Sequence, residues 1–160
     1  MSFADNLASV RARMEKACAR AQREPASVTL LAVTKGVQPE SVHEAAQAGL
    51  TLFGENKVQE ARAKLPLCPG RLHWHLIGHL QSNKCRDAVH LFEMIHSVDS
   101  VSLAEELQKQ ADKQAKTMPL LLEVNLAGES TKFGFKPEQI WPAVEAINAC
   151  PSGNLKRAIE

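Results

Sequence analysis

The sequence has no tyrosine, no Cys-x-x-Cys pair, no Gly-x-Gly-x-x-Gly or P-loop, no apolar run long enough to span a bilayer, and almost no net charge. Each absence removes a class. Nineteen basic residues against eighteen acidic ones leave a formal charge of +1, so no overall field draws in nucleic acid or an anionic membrane, and an anionic ligand must be held locally. The eight glycines (36, 49, 54, 70, 78, 128, 134 and 153) are isolated, so no glycine-rich cradle is available for a nucleotide. The longest apolar stretches, around Leu30–Val33 and Leu120–Leu122, are far too short to cross a membrane. Cys18, Cys68, Cys85 and Cys150 are scattered, and Asp5 sits where a secretory signal would need apolar residues, which implies a reduced, cytoplasmic protein. With 160 residues, 44% hydrophobic and 23% charged, the chain has ordinary globular composition and enough length for one core.

What is present is an alternation of short apolar runs and amphipathic stretches. Residues 4–23 space Leu7, Val10, Met14, Cys18 and Ala21 at three and four among basic side chains, which predicts an amino-terminal helix. Thr29–Thr34 is a β-branched, apolar run handing over to a turn at Gly36 and Pro39, a strand with Lys35 at its carboxyl end. Further strands are expected at Leu50–Phe53, Leu72–Ile77, Met94–Val98 and Pro119–Leu126. Helices are expected at 39–49, 57–64, 82–91, 100–116 and 137–148. Strands alternating with helices at this spacing predict βαβ units on a parallel sheet, an α/β class.

In such folds ligands bind at the carboxyl ends of the strands. Polar residues recur there: Lys35, Asn56, His75 and His79, Ser97 and Asp99, then Asn125 and Lys132. Any one of Asn56, Ser97 or Asp99 could be a helix cap. Recurrence on five successive strands points instead to a shared rim. An amine leaving a hydrophobic strand is expected to be partly desolvated and so available as a nucleophile toward an aldehyde or ketone, although a lysine snorkelling into water is the commoner case. His73 and His75, two apart on one strand, share a face and supply half of a metal site, with His96 as the sole obvious complement.

The runs Leu31-Ala-Val-Thr-Lys35, Phe53-Gly-Glu-Asn-Lys-Val-Gln-Glu60, Trp74-His-Leu-Ile-Gly-His-Leu-Gln-Ser-Asn-Lys84 and His96-Ser-Val-Asp-Ser100 are joined by Val124-Asn125 and Lys132-Phe-Gly134. In this order they resemble the pyridoxal phosphate homeostasis protein family. The resemblance implies a (β/α)8 barrel of the TIM type, similar to the amino-terminal domain of alanine racemase and to other fold-type III proteins of pyridoxal 5′-phosphate (PLP). It implies PLP held as an imine on Lys35, with Asn56, His75, Ser97, Asn125 and Lys132 as further cofactor-binding residues; because His73 and His75 provide at most half of a tetrahedral site, no metal is expected. Members are regarded as carriers or regulators of vitamin B6, not as enzymes, and as usually monomeric. The expected function is therefore intracellular PLP homeostasis without turnover, with neither nucleic acid nor membrane as partner. The alternatives are a His-x-His metal-dependent hydrolase, a racemase-like PLP enzyme, or an isoform that binds nothing.

Where the family reads Thr-Lys-Pro, this chain reads Thr34-Lys35-Gly36-Val37-Gln38-Pro39, and the family's Ser-Met-Gly-Met-Ser and Arg-Ile-Gly segments have no counterpart in it. A barrel of this kind needs about 250 residues. Residues 1–160 are accordingly expected to be an incomplete PLP-binding barrel domain: a helix at 4–23, five βα units over 29–148 and a divergent tail at 149–160. The fifth strand is expected to be an unpaired apolar edge through which the shortened chain self-associates.

Overall fold

A computed structural model describes residues 2–129 and 131–149 and the backbone of 155–157. The chain opens with helix α1 (Phe3–Arg20), started by a reciprocal capping box in which the Ser2 hydroxyl accepts from the Asp5 N–H while the Asp5 carboxylate accepts from the Ser2 N–H. There follow β1 (Ala32–Val33), α2 (Pro39–Gln47), β2 (Leu52–Glu55), α3 (Val58–Lys64), β3 (His73–Leu76), α4 (Cys85–Leu91), β4 (Met94–Val98), α5 (Val101–Lys113), β5 (Met118–Leu122), α6 (Ile140–Asn148) and β6 (Leu155–Arg157). The strands form one sheet in sequential order, every neighbouring pair parallel. Parallel neighbours cannot be joined by a tight turn, and each of the five crossovers carries a helix.

Alternation along the strands divides the sheet into a packed face and an open one. Phe53, Trp74, Leu76, Ile95, Met118 and Leu120 are buried against Val42, Ala61, Val89, Leu107, Ala111 and Ile147 of the helices. Burying each of the larger side chains is worth about 1.5–3 kcal/mol. On the opposite face Val33 is 48% exposed, His73 is exposed, and Leu31, His75 and His96 are half-buried. Helix α5 shows why these segments settle as they do. Ser100 caps its first turn by accepting from the Leu103 N–H at 3.4 Å, and Leu103, Ala104, Leu107 and Ala111 bring one stripe to the core.

Expectations for the tail and for two of the strands are corrected. The tail at 149–160 lies outside the described residues except for Ala149 and 155–157, and 155–157 form a sixth strand: Met118, Pro119 and Leu120 pair with Leu155, Lys156 and Arg157. The fifth strand is thus an inner strand, and the edge expected to drive self-association is covered. It also stops at Leu122 instead of Leu126; beyond it Val124 makes only an isolated bridge to Phe135. The first strand contracts from the expected Thr29–Thr34 to Ala32–Val33, because as an edge strand it can pair only with β2. Among the described residues no helix is long and apolar enough to cross a membrane.

Candidate functional site

The turn after β1 is the most constrained part of the carboxyl rim. Lys35 and Gly36 form it, and Gly36 takes φ +68°, a left-handed conformation that favours glycine. The peptide groups on either side of Lys35 are tied down individually. Thr34 N–H donates to the Gly54 carbonyl at 3.0 Å and its hydroxyl donates to Glu55 Oε1 at 2.7 Å. Lys64 Nζ donates to the Thr34 carbonyl at 2.7 Å and to Glu55 Oε1 at 2.7 Å. Gly36 N–H donates to Glu60 Oε1 at 2.6 Å, and the same oxygen lies 3.4 Å from Lys64 Nζ. This hydrogen bond from Gly36 is the largest reason the Glu60 carboxyl titrates below the usual range; burial opposes it and the nearby Lys64 assists it. Glu55 is fully buried and Lys64 nearly so. Thr34 turns toward α3, and Lys35, one residue on, is exposed with no interaction among the described residues. The expected desolvation of its amine is therefore corrected: the lysine is held by its backbone while its side chain is free in solvent.

The remaining candidate residues fall into two groups. Asn56 follows β2, half-buried, where the backbone of Gly78 comes so close that a Cβ on Gly78 would collide with the Asn56 main chain. His75 lies on the open face of β3 and meets His96 of β4, Nδ1 to Nε2 at 2.9 Å with ring centroids 5.0 Å apart. Gly54, between Val33 and His75 in the cross-strand row, lacks the Cβ that would strike Leu31 and Ile77, so these two side chains close over it. Ser97, by contrast, is buried and its hydroxyl donates to the Gly78 carbonyl at 2.6 Å. Asn125 Nδ2 donates to the Glu129 carbonyl at 2.9 Å, and Lys132 Nζ pairs with Glu129 at 2.7 Å, so both shape the loop after β5. That loop returns to the rim through Phe133, which stacks on His79 at 3.6 Å, while His79 Nδ1 lies 3.2 Å from Asp99. His73 pairs with Glu93 at 2.9 Å and does not join the His75 pair. No group of three or more His, Cys, Asp or Glu among the described residues could hold a metal ion.

Sequence reasoning had no role for Glu55, Glu60 or Lys64. Their signal was nonetheless present: a glutamate ending an apolar strand calls for a buried cation, and Glu60 and Lys64 stand at i and i+4 on the next helix.

The His75–His96 contact carries a testable pH dependence. Burial lowers the pKa of both, and for His75 the neighbouring His96 lowers it further. A hydrogen bond between two ring nitrogens needs one lone pair, so the doubly protonated pair is disfavoured. With folded values below the unfolded value of 6.5, the unfolded chain binds more protons in the window between them. The contribution is fully present above that window and is lost as pH falls through it. Urea unfolding between about pH 7 and about pH 5 should show stability dropping toward acid, with a smaller drop in His96→Gln. A parallel pH dependence in both proteins would assign the effect to other groups.

Comparison with known proteins places this geometry among relatives. The family described as "Alanine racemase, N-terminal domain" matches residues 6–158. The pyridoxal phosphate homeostasis protein of Pseudomonas aeruginosa is 40% identical over 156 residues, covering 97% of this chain and 68% of the relative. That of Aquifex aeolicus is 40% identical over 141 residues, 88% of this chain and 62% of the relative. Among solved structures, PipY of Synechococcus elongatus with PLP bound superposes with a TM-score of 0.79 at 38% identity, over 98% of this chain and 68% of that one. Alanine racemase of Clostridium difficile, 12% identical, shares the fold at a TM-score of 0.67 over 81% of this chain and 34% of its own. The chain thus spans about two thirds of the length of its nearer relatives.

Proposed function

This chain belongs to the pyridoxal phosphate homeostasis proteins, within the family of the alanine racemase N-terminal domain, and from that premise we propose that it holds PLP on Lys35 as a carrier, without turnover. The observation that supports the reading best is a primary amine at a strand's carboxyl end, exposed and unengaged, on a turn whose backbone is fixed on both sides. That donor set fits the aldehyde end of the cofactor. When bound, PLP supplies an aldehyde that condenses with an amine and a ring that withdraws electrons. Asn56, and His75 with its partner His96, belong to the proposed site because they line the same rim and open face as Lys35. The Ser97 hydroxyl and the Lys132 amine are already engaged by Gly78 and Glu129, and with Asn125 they support the rim rather than touch the ligand in this proposal.

A carrier rather than a racemase fits two further facts. The relatives are named for homeostasis and not for a reaction. A racemase also needs a second acid/base group opposite the lysine, and this sequence contains no tyrosine to serve. A cytoplasmic setting belongs to the same proposal, supported by the free thiols of Cys18, Cys68 and Cys85.

The test is to incubate the protein with PLP, reduce with borohydride, digest, and map the adduct by mass spectrometry. The expected outcome is a single dominant adduct on the peptide bearing Lys35. An adduct chiefly on Lys84 or Lys132, with Lys35 unmodified, would overturn the assignment.

A further inference from the structure

We propose that Glu60 and Lys64 of α3, with Glu55 of β2, act as positioning residues for the lysine amine by clamping the two peptide groups that flank Lys35. The inference rests on the reading of Lys35 as the cofactor lysine. It concerns how a side chain with no hydrogen bond or ion pair among the described residues can be held ready to react.

A free lysine side chain samples many rotamers about four single bonds, and the protein can limit this only through the position and direction of its Cα–Cβ bond. The clamp fixes that bond from both ends. On the amino side the Thr34 carbonyl accepts from the Lys64 ammonium at 2.7 Å, and on the carboxyl side the Gly36 N–H donates to the Glu60 carboxylate at 2.6 Å. Each is a charge-assisted hydrogen bond, the stronger kind. The two charged ends are themselves linked, because Lys64 lies 3.4 Å from Glu60 and 2.7 Å from Glu55. Glu60 and Lys64 are one helical turn apart on α3, so a single rigid two-turn helix carries both ends of the grip.

The network also reaches the Thr34 side chain through Glu55. Glu55 Oε1 accepts from both the Thr34 hydroxyl and Lys64, while Oε2 is buried without a hydrogen-bond partner among the described residues. Gly36 completes the arrangement: its N–H donates to Glu60, the chain then turns away at φ +68°, and a Cβ there would meet nothing within 4 Å. Glycine is therefore required by backbone conformation and not by space.

The grip is also pH-sensitive in a defined direction. The Glu60 carboxyl titrates below its ordinary value of 4.5, so the interaction is intact above that value and is lost as pH falls through the lower folded pKa.

The experiment measures the amount of borohydride-trapped Lys35 adduct at a fixed, subsaturating PLP concentration, alongside the melting temperature. Glu60 is partly exposed, with 32% of its side chain accessible, so Glu60→Ala should fold. It should lower the trapped Lys35 fraction by about tenfold while moving the melting temperature little, because a charge-assisted hydrogen bond to the turn is lost. Glu60→Gln retains an acceptor for the Gly36 N–H and should restore most of the trapping. The double variant Glu55→Leu/Lys64→Met replaces the buried charges by apolar groups and should lose trapping as Glu60→Ala does, even where it melts normally. Wild-type trapping in Glu60→Ala, with Lys35 still the dominant adduct, would overturn the clamp and leave the carrier reading standing. Absence of a Lys35 adduct in the wild-type protein would overturn the carrier reading itself, and the clamp's role with it.

Discussion

Lys35→Ala is expected to abolish covalent PLP capture, lowering the affinity of the retained form by at least about a hundredfold, equivalent to about 3 kcal/mol. The reason is that Lys35 carries the amine of the proposed imine, while three other amines near the fold's core and rim are engaged. Lys64 is buried between Glu55 and the Thr34 carbonyl, Lys132 is paired with Glu129, and Lys116 donates to the Val89 and Phe92 carbonyls at 2.6 and 2.7 Å. Lys35 alone among these has an ammonium with no partner at the carboxyl end of a strand. Lys35→Arg sharpens the result, since a guanidinium keeps the charge but cannot be deprotonated in a protein and so cannot serve as the nucleophile. Both variants should fold as the wild type does, because residue 35 is exposed and its backbone ties run through Thr34 and Gly36. Retained imine absorbance in either variant would move the site to another lysine.

Much of this arrangement was legible before the structure. The order of strands and helices followed from apolar periods, and Lys35 stood out because a β-branched run ends on it just before a glycine and a proline. What could not be read was whatever depended on a partner. The three residues of β6 carry no period of their own, and they become a strand only by pairing with Met118–Leu120. The run Thr29–Thr34 has the composition of a six-residue strand, yet β1 lies at the sheet edge with only β2 beside it, and two residues pair. The same dependence hid the clamp. The sequence reading assigned Glu55 no role, and only the fold brings Lys64 against it from nine residues away. Likewise His75 was singled out as half of a His-x-His pair with His73, whereas the sheet register gives each a different partner: Glu93 for His73 and His96 for His75.

The buried ion pair that organises the turn also sets the largest expected effect on stability. Lys64→Met should destabilise the fold by about 3–5 kcal/mol, because it leaves the Glu55 carboxylate fully buried with only the Thr34 hydroxyl to answer it. Against a typical total of about 5–15 kcal/mol, that removes a large share of the stability of the domain. Glu55→Leu alone should cost less. The stranded ammonium of Lys64 keeps the Thr34 carbonyl and can draw on Glu60, whose carboxylate is 3.4 Å away and partly solvated. In Glu55→Leu/Lys64→Met neither charge has to be desolvated, and well-packed apolar replacements of buried ion pairs are often neutral. The double variant should therefore lie within about 1 kcal/mol of the wild type. Urea unfolding of the four proteins gives the coupling directly, as the difference between the double variant and the sum of the singles. A coupling of several kcal/mol is expected. Losses that simply add would show that Glu55 and Lys64 contribute independently, and the turn bearing Lys35 would then owe its position to the strand ladder and not to the charges beneath it.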